Sequence, residues 1–228
     1  MTIFQYALKR SFSNKTNMLF LMLAPVVCIF LPAAEYWPLL PFGYQYFGIL
    51  ILFVSMRLTS IILEDRTRGV VKRLAVAPIT HFQYLSQNLL AYFIIMVIQS
   101  FVVVYGGLIY GQELYQPFLL FGLFLSFSLM ALAFALAWIS FFRSKETSFL
   151  IFISMISLFA LLGGLLIPIE MMPDVLARLA VIFPTYWLME GLNWIVIGED
   201  LSDFLLVNGM LILYAVIFLI LGSIRRIQ

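Results

Sequence analysis

The sequence has little of the chemistry on which soluble enzymes depend. It contains one cysteine, Cys28, and one histidine, His81, and only 11% of its residues are charged. A single cysteine cannot form an internal disulfide. One histidine and one cysteine cannot supply the three protein ligands of an intramembrane zinc site unless carboxylates complete it. The available carboxylates, Glu64 and Asp65, fall in a predicted loop and not in a buried pocket. We therefore expect no metal site.

Motifs for nucleotide and ester chemistry are also missing. No glycine-rich phosphate loop ending in Lys-Ser or Lys-Thr occurs, so we expect that the chain does not hydrolyse ATP by itself. No Gly-x-Ser-x-Gly nucleophile elbow occurs either. The sequence therefore predicts no catalytic residue, and we expect the chain not to be an enzyme.

Apolar residues, in contrast, make up 64% of the 228 residues. A helix that crosses a bilayer needs roughly 20 mainly apolar residues. Six uncharged runs are long enough, and they lack the strict alternation of outer-membrane barrel strands. The runs are Thr16 to Ala34, Tyr36 to Met56, Phe82 to Gln112, Leu114 to Phe142, Thr147 to Ile169 and Phe204 to Ile224. The pattern predicts an all-α membrane protein, with six transmembrane helices in one domain over residues 1–228.

The charged residues predict how these helices are oriented. If both termini are cytoplasmic, every lysine and arginine except Arg178 falls inside, as the positive-inside rule requires. Most acidic residues then fall outside. The runs themselves carry no acidic residues, which mark proton-coupled transporters. We therefore expect a multi-pass protein of the cytoplasmic membrane without an ion-coupling group of its own.

A polar island interrupts the apolar sequence between the second and third runs, within residues 64–82. Apolar residues there occupy one helical arc and basic residues the other. The apolar arc holds Val70, Val71, Leu74 and Ala77, and the basic arc holds Arg66, Arg68, Lys72 and Arg73. The pattern predicts a short amphipathic helix at the cytoplasmic rim that contacts the membrane surface or another protein. Arg57 lies two helical turns before Glu64, and it either pairs with Glu64 or extends to the inner headgroups.

Two further regions have a pattern of their own. Residues 1–15 place Ile3, Phe4, Ala7, Leu8 and Phe12 on one helical face, which predicts an interfacial helix. In residues 164–203, Pro168 is expected to end or kink the fifth span, Pro173 to begin a short helix and Pro184 to break it. The aromatic residues that follow suit the headgroup level, and they are Tyr186, Trp187 and Trp194. We expect two short helices that dip into the outer leaflet.

These features together resemble the permease subunit of a type-2 ABC exporter, the class also called type V or ABCG-like. The island is similar to the coupling segment of that family, through Glu64, Gly69, Leu74 and Pro78. The N-terminal helix resembles its connecting helix. The segment between the fifth and sixth spans resembles its outer re-entrant region, through Gly164, Pro168, Met172, Pro173, Pro184 and Trp187.

The resemblance implies a homodimer, or a heterodimer with a sibling permease, and two copies of a separate ATP-binding subunit. ATP and Mg would bind in that partner, with no cofactor in this chain and no nucleic acid partner. A coupling helix over about Asp65 to Ala77 would dock on the ATPase. The implied coupling residues are Glu64, Arg66, Arg68, Gly69, Val70, Val71, Lys72, Arg73, Leu74 and Pro78. The absence of a fused nucleotide-binding domain points to a bacterial system.

The translocation path would then lie between protomers, lined by the second and fifth spans. Candidate lining residues are Phe47, Phe53, Met56, Phe152, Met155 and Phe159. Methionine and aromatic side chains suit amphipathic or apolar cargo, such as a drug, a peptide or a lipid. Two alternatives stay open. A stand-alone channel or secondary transporter needs ion-pairing residues in the spans, and a membrane enzyme needs Asp, Glu or His clustered at one face.

Overall fold

The computed structural model describes residues 3–13, 15–32, 40–69, 81–198 and 200–224. Within these ranges the regular structure is helical, without strands. The helices are α1 (Ile3–Ser13), α2 (Lys15–Ile29), α3 (Phe42–Thr67), α4 (His81–Tyr110), α5 (Pro117–Phe141), α6 (Lys145–Leu162), α7 (Asp174–Ala180), α8 (Pro184–Ile197) and α9 (Leu201–Ile224). A 3-10 turn at Ile169–Met171 lies between α6 and α7. The predicted all-α membrane architecture is confirmed.

Five of these helices are long and apolar enough to cross a membrane: α3, α4, α5, α6 and α9. They correspond to the second through sixth predicted spans. The first predicted span corresponds to α2, which has 15 residues with Pro25 inside it. At 1.5 Å per residue it is about 22 Å long, shorter than the hydrocarbon core of roughly 30 Å. Helices α7 and α8 meet the same criteria only as one pair, bent by 91°.

Helix α5 lies at the centre of the bundle and packs against α3, α4 and α9. Its buried alanines allow close helix approach, as small residues do in membrane proteins. A β-carbon added to Gly222 of α9 would lie 3.2 Å from the Cα of Ala137. On another side of α5, Phe124 packs edge-on against Phe47 of α3, with ring centroids 4.9 Å apart. The core is therefore built around a span that faces protein along most of its length.

Helix α3 extends further than the sequence predicted. The second span was expected to end at Met56, but the helix continues unbroken to Thr67. Its polar residues do not interrupt it, because Thr59 donates to the carbonyl of Ser55 at 2.8 Å within the same helix. Gly69 then has a left-handed backbone with φ of +71°, which favours glycine.

The prediction of a coupling helix beginning at about Asp65 is therefore wrong at its start. Asp65 belongs to α3, and the backbone of Gly69 interrupts any continuous helix from there. The remaining predicted coupling residues lie outside the described residues, and they are Val70, Val71, Lys72, Arg73, Leu74 and Pro78.

The fifth span ends earlier than predicted. Helix α6 stops at Leu162, where Gly163 donates its N–H to the carbonyl of Phe159 at 2.8 Å. Gly164 follows with φ of +88°, the left-handed geometry that commonly closes a helix. The expectation that Pro168 ends the helix is corrected, because the glycine pair ends it first. Pro168 instead precedes the 3-10 turn.

The two short helices predicted after this point are present as α7 and α8. Pro173 immediately precedes α7, as its fixed φ favours. Pro184 is the first residue of α8, and α7 has already ended at Ala180. Pro184 therefore begins a helix, whereas it was predicted to break one.

Candidate functional site

Charged side chains from distant parts of the sequence meet where α1, α3 and α6 come together. Arg10 comes from α1, Glu64 and Asp65 from the end of α3, Arg68 from just after it, and Lys145 from the start of α6. We call these five residues the charged face. Three ion pairs are formed here, between Arg10 and Asp65, Arg68 and Glu64, and Lys145 and Glu64. Glu64 and Asp65, the first residues of the polar island, thus join it to α6 and α1.

Asp65 is the most buried member of the charged face, with 5% of its surface exposed. Arg10 forms an ion pair with its Oδ1, and the hydroxyl of Tyr84 donates to its Oδ2 at 2.7 Å. A buried carboxylate is tolerated when it is paired and hydrogen-bonded in this way. Because the partners lie on α1 and α4, one carboxylate links three helices.

The Arg10 guanidinium stays charged in this setting. Burial by itself lowers the pKa of Arg10, but the hydrogen bond and the negative charge of Asp65 outweigh it and raise the pKa above its usual value. The ion pair between α1 and α3 is therefore held by a permanent cation.

Helix α1 is docked against the protein along its predicted apolar face. Ala7 is buried, and Ile3, Phe4, Leu8 and Phe12 pack against the core. The N–H of Phe4 also donates to Oε1 of Gln87 on α4 at 3.1 Å. The amphipathic helix expected over residues 1–15 is therefore present at Ile3–Ser13, with its apolar face turned toward α2 and α4.

Glu64 makes a second, more exposed connection. It accepts from Arg68, four residues later, at 2.5 Å and from Nζ of Lys145 at 3.2 Å. Ion pairs at this degree of exposure contribute less than about 1 kcal/mol each. Their main effect is to fix the relative position of two helices, because the Lys145 contact joins the start of α6 to the end of α3. Arg57 lines the same pocket as Glu64, which is the shared face that the sequence suggested.

The structure places four predicted coupling residues at the end of α3. Glu64 and Arg66 are half-buried, whereas Arg68 is exposed. Arg10, Tyr84 and Lys145 were not predicted as partners of the carboxylates at this end of α3. Arg10 and Lys145 belong to the lysines and arginines predicted to lie inside, and nothing in the sequence shows which carboxylate each would meet.

The segment between α6 and α9 forms a compact unit over residues 163–198, which we call the re-entrant region. Thr185 donates to the carbonyl of Phe159 at 2.6 Å, across from α8 to α6. Trp187 donates to the carbonyl of Val181 at 3.0 Å, and Tyr214 of α9 donates to that of Ile182 at 2.7 Å. Loop carbonyls at membrane depth need such partners. The prolines and glycines predicted here set the helix ends, and polar side chains satisfy the carbonyls between them.

The predicted lining residues occupy two environments in the single chain. Phe47, Met56, Phe152 and Phe159 are buried. Phe152 and Phe159 each pack on Phe134 of α5, with centroids 5.3 Å apart. Phe53 and Met155 are half-exposed. The assignment of these residues to a translocation path stays a prediction.

Comparison with known protein families gives a match that covers most of the chain. A family model described as ABC-2 family transporter protein matches residues 36–224. This range holds α3 through α9, and therefore both the end of α3 and the re-entrant region. No curated protein matches the chain.

Proposed function

This chain belongs to the ABC-2 family of transporter proteins, and we propose that it is the membrane-spanning subunit of an ATP-driven exporter. The family makes it a multi-pass permease. In the proposal, two membrane subunits form the translocation path as a homodimer or with a sibling permease. Two copies of a separate subunit bind ATP with Mg and drive the cycle.

The observation that carries this proposal is the set of connections at the charged face. The segment that follows α3 leaves the described structure at Gly69, directly beside these residues. Asp65 joins the end of α3 to α1 and α4, and Glu64 joins it to α6. A force applied to the segment after Gly69 would therefore reach four helices at once. A partner that binds and moves the segment could change the packing of the whole bundle.

We propose that this segment docks on the ATP-binding subunit. Val70, Val71 and Leu74 supply apolar anchors, which carry most of the binding energy at protein interfaces. The basic residues beside them favour an acidic rim on the partner and speed its association. We further propose that the charged face lies on the cytoplasmic side, with both termini there, in the membrane of a bacterium.

The cargo in this proposal is amphipathic or apolar. The described spans offer aromatic and methionine side chains such as Phe53 and Met155, half-exposed on α3 and α6. Such surfaces adapt to varied apolar ligands. A drug, a peptide or a lipid fits this chemistry.

Purification in gentle detergent tests the assembly. The expected result is a stoichiometric ATP-binding subunit that carries a phosphate-loop motif. Recovery of the chain alone, under conditions that keep another membrane complex intact, would favour a stand-alone channel or secondary transporter instead.

Substitution at Leu74 tests the coupling. Leu74→Asp places a charge among the proposed anchors and is expected to abolish ATP-driven export while the protein still inserts. Leu74→Met keeps an apolar side chain of similar size and should retain export. Unchanged export by Leu74→Asp would show that the segment does not couple the two subunits.

A further inference from the structure

A buried glutamine on α4 compensates for the proline inside α2. Pro25 has no N–H, so the carbonyl of Leu21, four residues earlier, has no donor within its helix. Gln99 supplies one, with its Nε2 2.7 Å from that carbonyl oxygen. Because a carbonyl oxygen only accepts hydrogen bonds, the amide of Gln99 must turn its nitrogen toward Leu21. Its Oε1 is then left as an acceptor on the other side of the amide.

This acceptor has no partner. Gln99 is 4% exposed, and its Oε1 makes no hydrogen bond within the part of the chain that the structure describes. A buried acceptor without a donor is costly, and buried polar atoms in proteins are in most cases satisfied by protein or by a bound molecule. Oε1 therefore needs a donor that the described residues do not supply.

The same glutamine lines an apolar groove between α2 and α4. The groove has a volume of about 290 Å³, near the lower end of the range for small-molecule sites. Met22 and Val26 line it from α2, and Ile95 and Ile98 line it from α4. Gln99 is the one polar residue among the described residues that line it. The groove thus combines a hydrocarbon wall with a single unsatisfied hydrogen-bond acceptor.

We propose that the groove between α2 and α4 binds a small neutral alcohol, with its hydrocarbon body against the apolar wall and its hydroxyl donating to Oε1 of Gln99. None of the described lining residues is charged, so an ammonium group would be buried there without a counter-ion. A carboxylate has no hydrogen to donate to Oε1. A hydroxyl brings one donor without a charge, and the volume suits a single short chain.

This site is separate from the path proposed between protomers, which uses α3 and α6. The proposal therefore goes beyond ATP-driven transport and does not depend on it, because binding is measured on this chain without nucleotide.

Competition against a photoreactive probe tests the site in the full chain, reconstituted in nanodiscs. The probe is decanol that carries a diazirine, and mass spectrometry identifies the labelled residues. Unlabelled decanol and its methyl ether compete at equal mole fractions in the bilayer. The ether keeps the chain and the oxygen atom but has no donor.

We expect labelling of Met22, Val26 or Ile98, with decanol competing roughly tenfold better than its ether, as one hydrogen bond to a buried acceptor provides. Equal competition by the two compounds would overturn the proposal, as would labelling confined to other helices.

A pair of substitutions separates the two ends of the Gln99 amide. Pro25→Ala restores an N–H that can bind the Leu21 carbonyl within α2, so this carbonyl no longer needs Gln99. In that background, Gln99→Leu is expected to abolish the preference for decanol over its ether, whereas Pro25→Ala alone should keep it. An undiminished preference in the folded double variant would overturn the assignment of the hydroxyl to Oε1.

Two further variants test the groove itself, whether or not the double variant folds. Ile98→Trp fills the groove and should remove the labelling of α2. Leu90→Trp is the matched control, because Leu90 is also exposed on α4 but does not line the groove. Equal labelling of these two variants would contradict the proposal. Quantitative disulfide dimerisation through Ile98→Cys, in a Cys28→Ala background, would show that a second copy covers the groove and would also contradict it.

Discussion

The charged face and the re-entrant region hold helices together by different means. At the charged face, side chains far apart in sequence pair with each other, as Arg10 does with Asp65 and Lys145 with Glu64. In the re-entrant region, side chains such as Thr185 and Trp187 donate to backbone carbonyls left open by helix ends. The first depends on charge, and the second depends on hydrogen bonds to the backbone where α6 and α8 are packed closely enough that a β-carbon on Gly163 would clash with Thr185. Substitutions that alter charge and those that alter volume should therefore act on different regions.

The largest expected effect is that of Asp65→Ala. It leaves Arg10 and the buried hydroxyl of Tyr84 without their acceptor, and breaking a buried ion pair costs about 3–5 kcal/mol. We expect lower stability in mixed-micelle unfolding and release of α1. Release is measured by thiol labelling of Ala7→Cys in a Cys28→Ala background, because Ala7 is buried when α1 is docked.

Glu64→Ala is the matched control, since it removes the neighbouring but half-exposed carboxylate. Because it removes two exposed ion pairs, it should lower stability by less than about 2 kcal/mol and leave α1 docked. Equal effects of the two substitutions would mean that burial does not distinguish these carboxylates.

Gly163→Ala should be the most damaging substitution in the re-entrant region. The added β-carbon would lie 1.9 Å from Oγ1 of Thr185 and 2.7 Å from the carbonyl oxygen of Phe159, so α6 and α8 must separate. Overpacking of this kind costs about 1–3 kcal/mol. Thermal unfolding in detergent measures the loss. Gly209→Ala on α9 meets no atom within 4 Å and should leave the unfolding temperature unchanged or slightly raised.

Tyr84→Phe removes one hydrogen bond to Asp65 and keeps the ion pair with Arg10. A loss of about 1–2 kcal/mol is expected, between that of Asp65→Ala and those at exposed sites. The same unfolding assay measures it. In the Asp65→Ala background the hydroxyl has lost its acceptor, so Tyr84→Phe should cost less there. Equal losses in both backgrounds would show that the Tyr84 hydroxyl acts independently of Asp65.

Lys145→Ala should have the smallest effect on stability. Its ion pair with Glu64 is exposed, so the loss should stay below about 1 kcal/mol and diminish as salt is added. Unfolding at low and high ionic strength measures it. A loss that does not change with salt would mean that the Lys145–Glu64 pair is shielded from solvent like the Arg10–Asp65 pair. The two ion pairs would then not differ in the way that their exposure suggests.

The sequence was most informative where one property decides the structure. Apolar length predicted the helices that became α3 to α6 and α9, and the proline spacing predicted two short helices after α6. Helix ends were harder. Met56 seemed to close a span because charges follow it, yet those charges are paired or lie at the surface, and α3 continues to Thr67.

The contacts of the candidate site could not be read from the sequence. Arg10 and Asp65 are 55 residues apart, and Lys145 and Glu64 are 81 apart. Which charges meet depends on which helices are neighbours, and that is decided by shape in the bundle core. The end of α6 was hard to predict for a similar reason. Several nearby glycines and prolines could each have ended the helix, and the sequence did not show that the left-handed Gly164 would do so.

Helix α3 is in contact with both regions. Its 26 residues contain no proline and span about 39 Å. Asp65 holds one end, and near the other Gln45 contacts Met189 of α8, with Nε2 3.8 Å from Sδ. An unbroken helix resists axial compression, so α3 can transmit a force along its length. A displacement imposed at Asp65 would reach Met189 with little loss in between, and mechanical work done on one membrane face would be delivered at the other without passing through a loop.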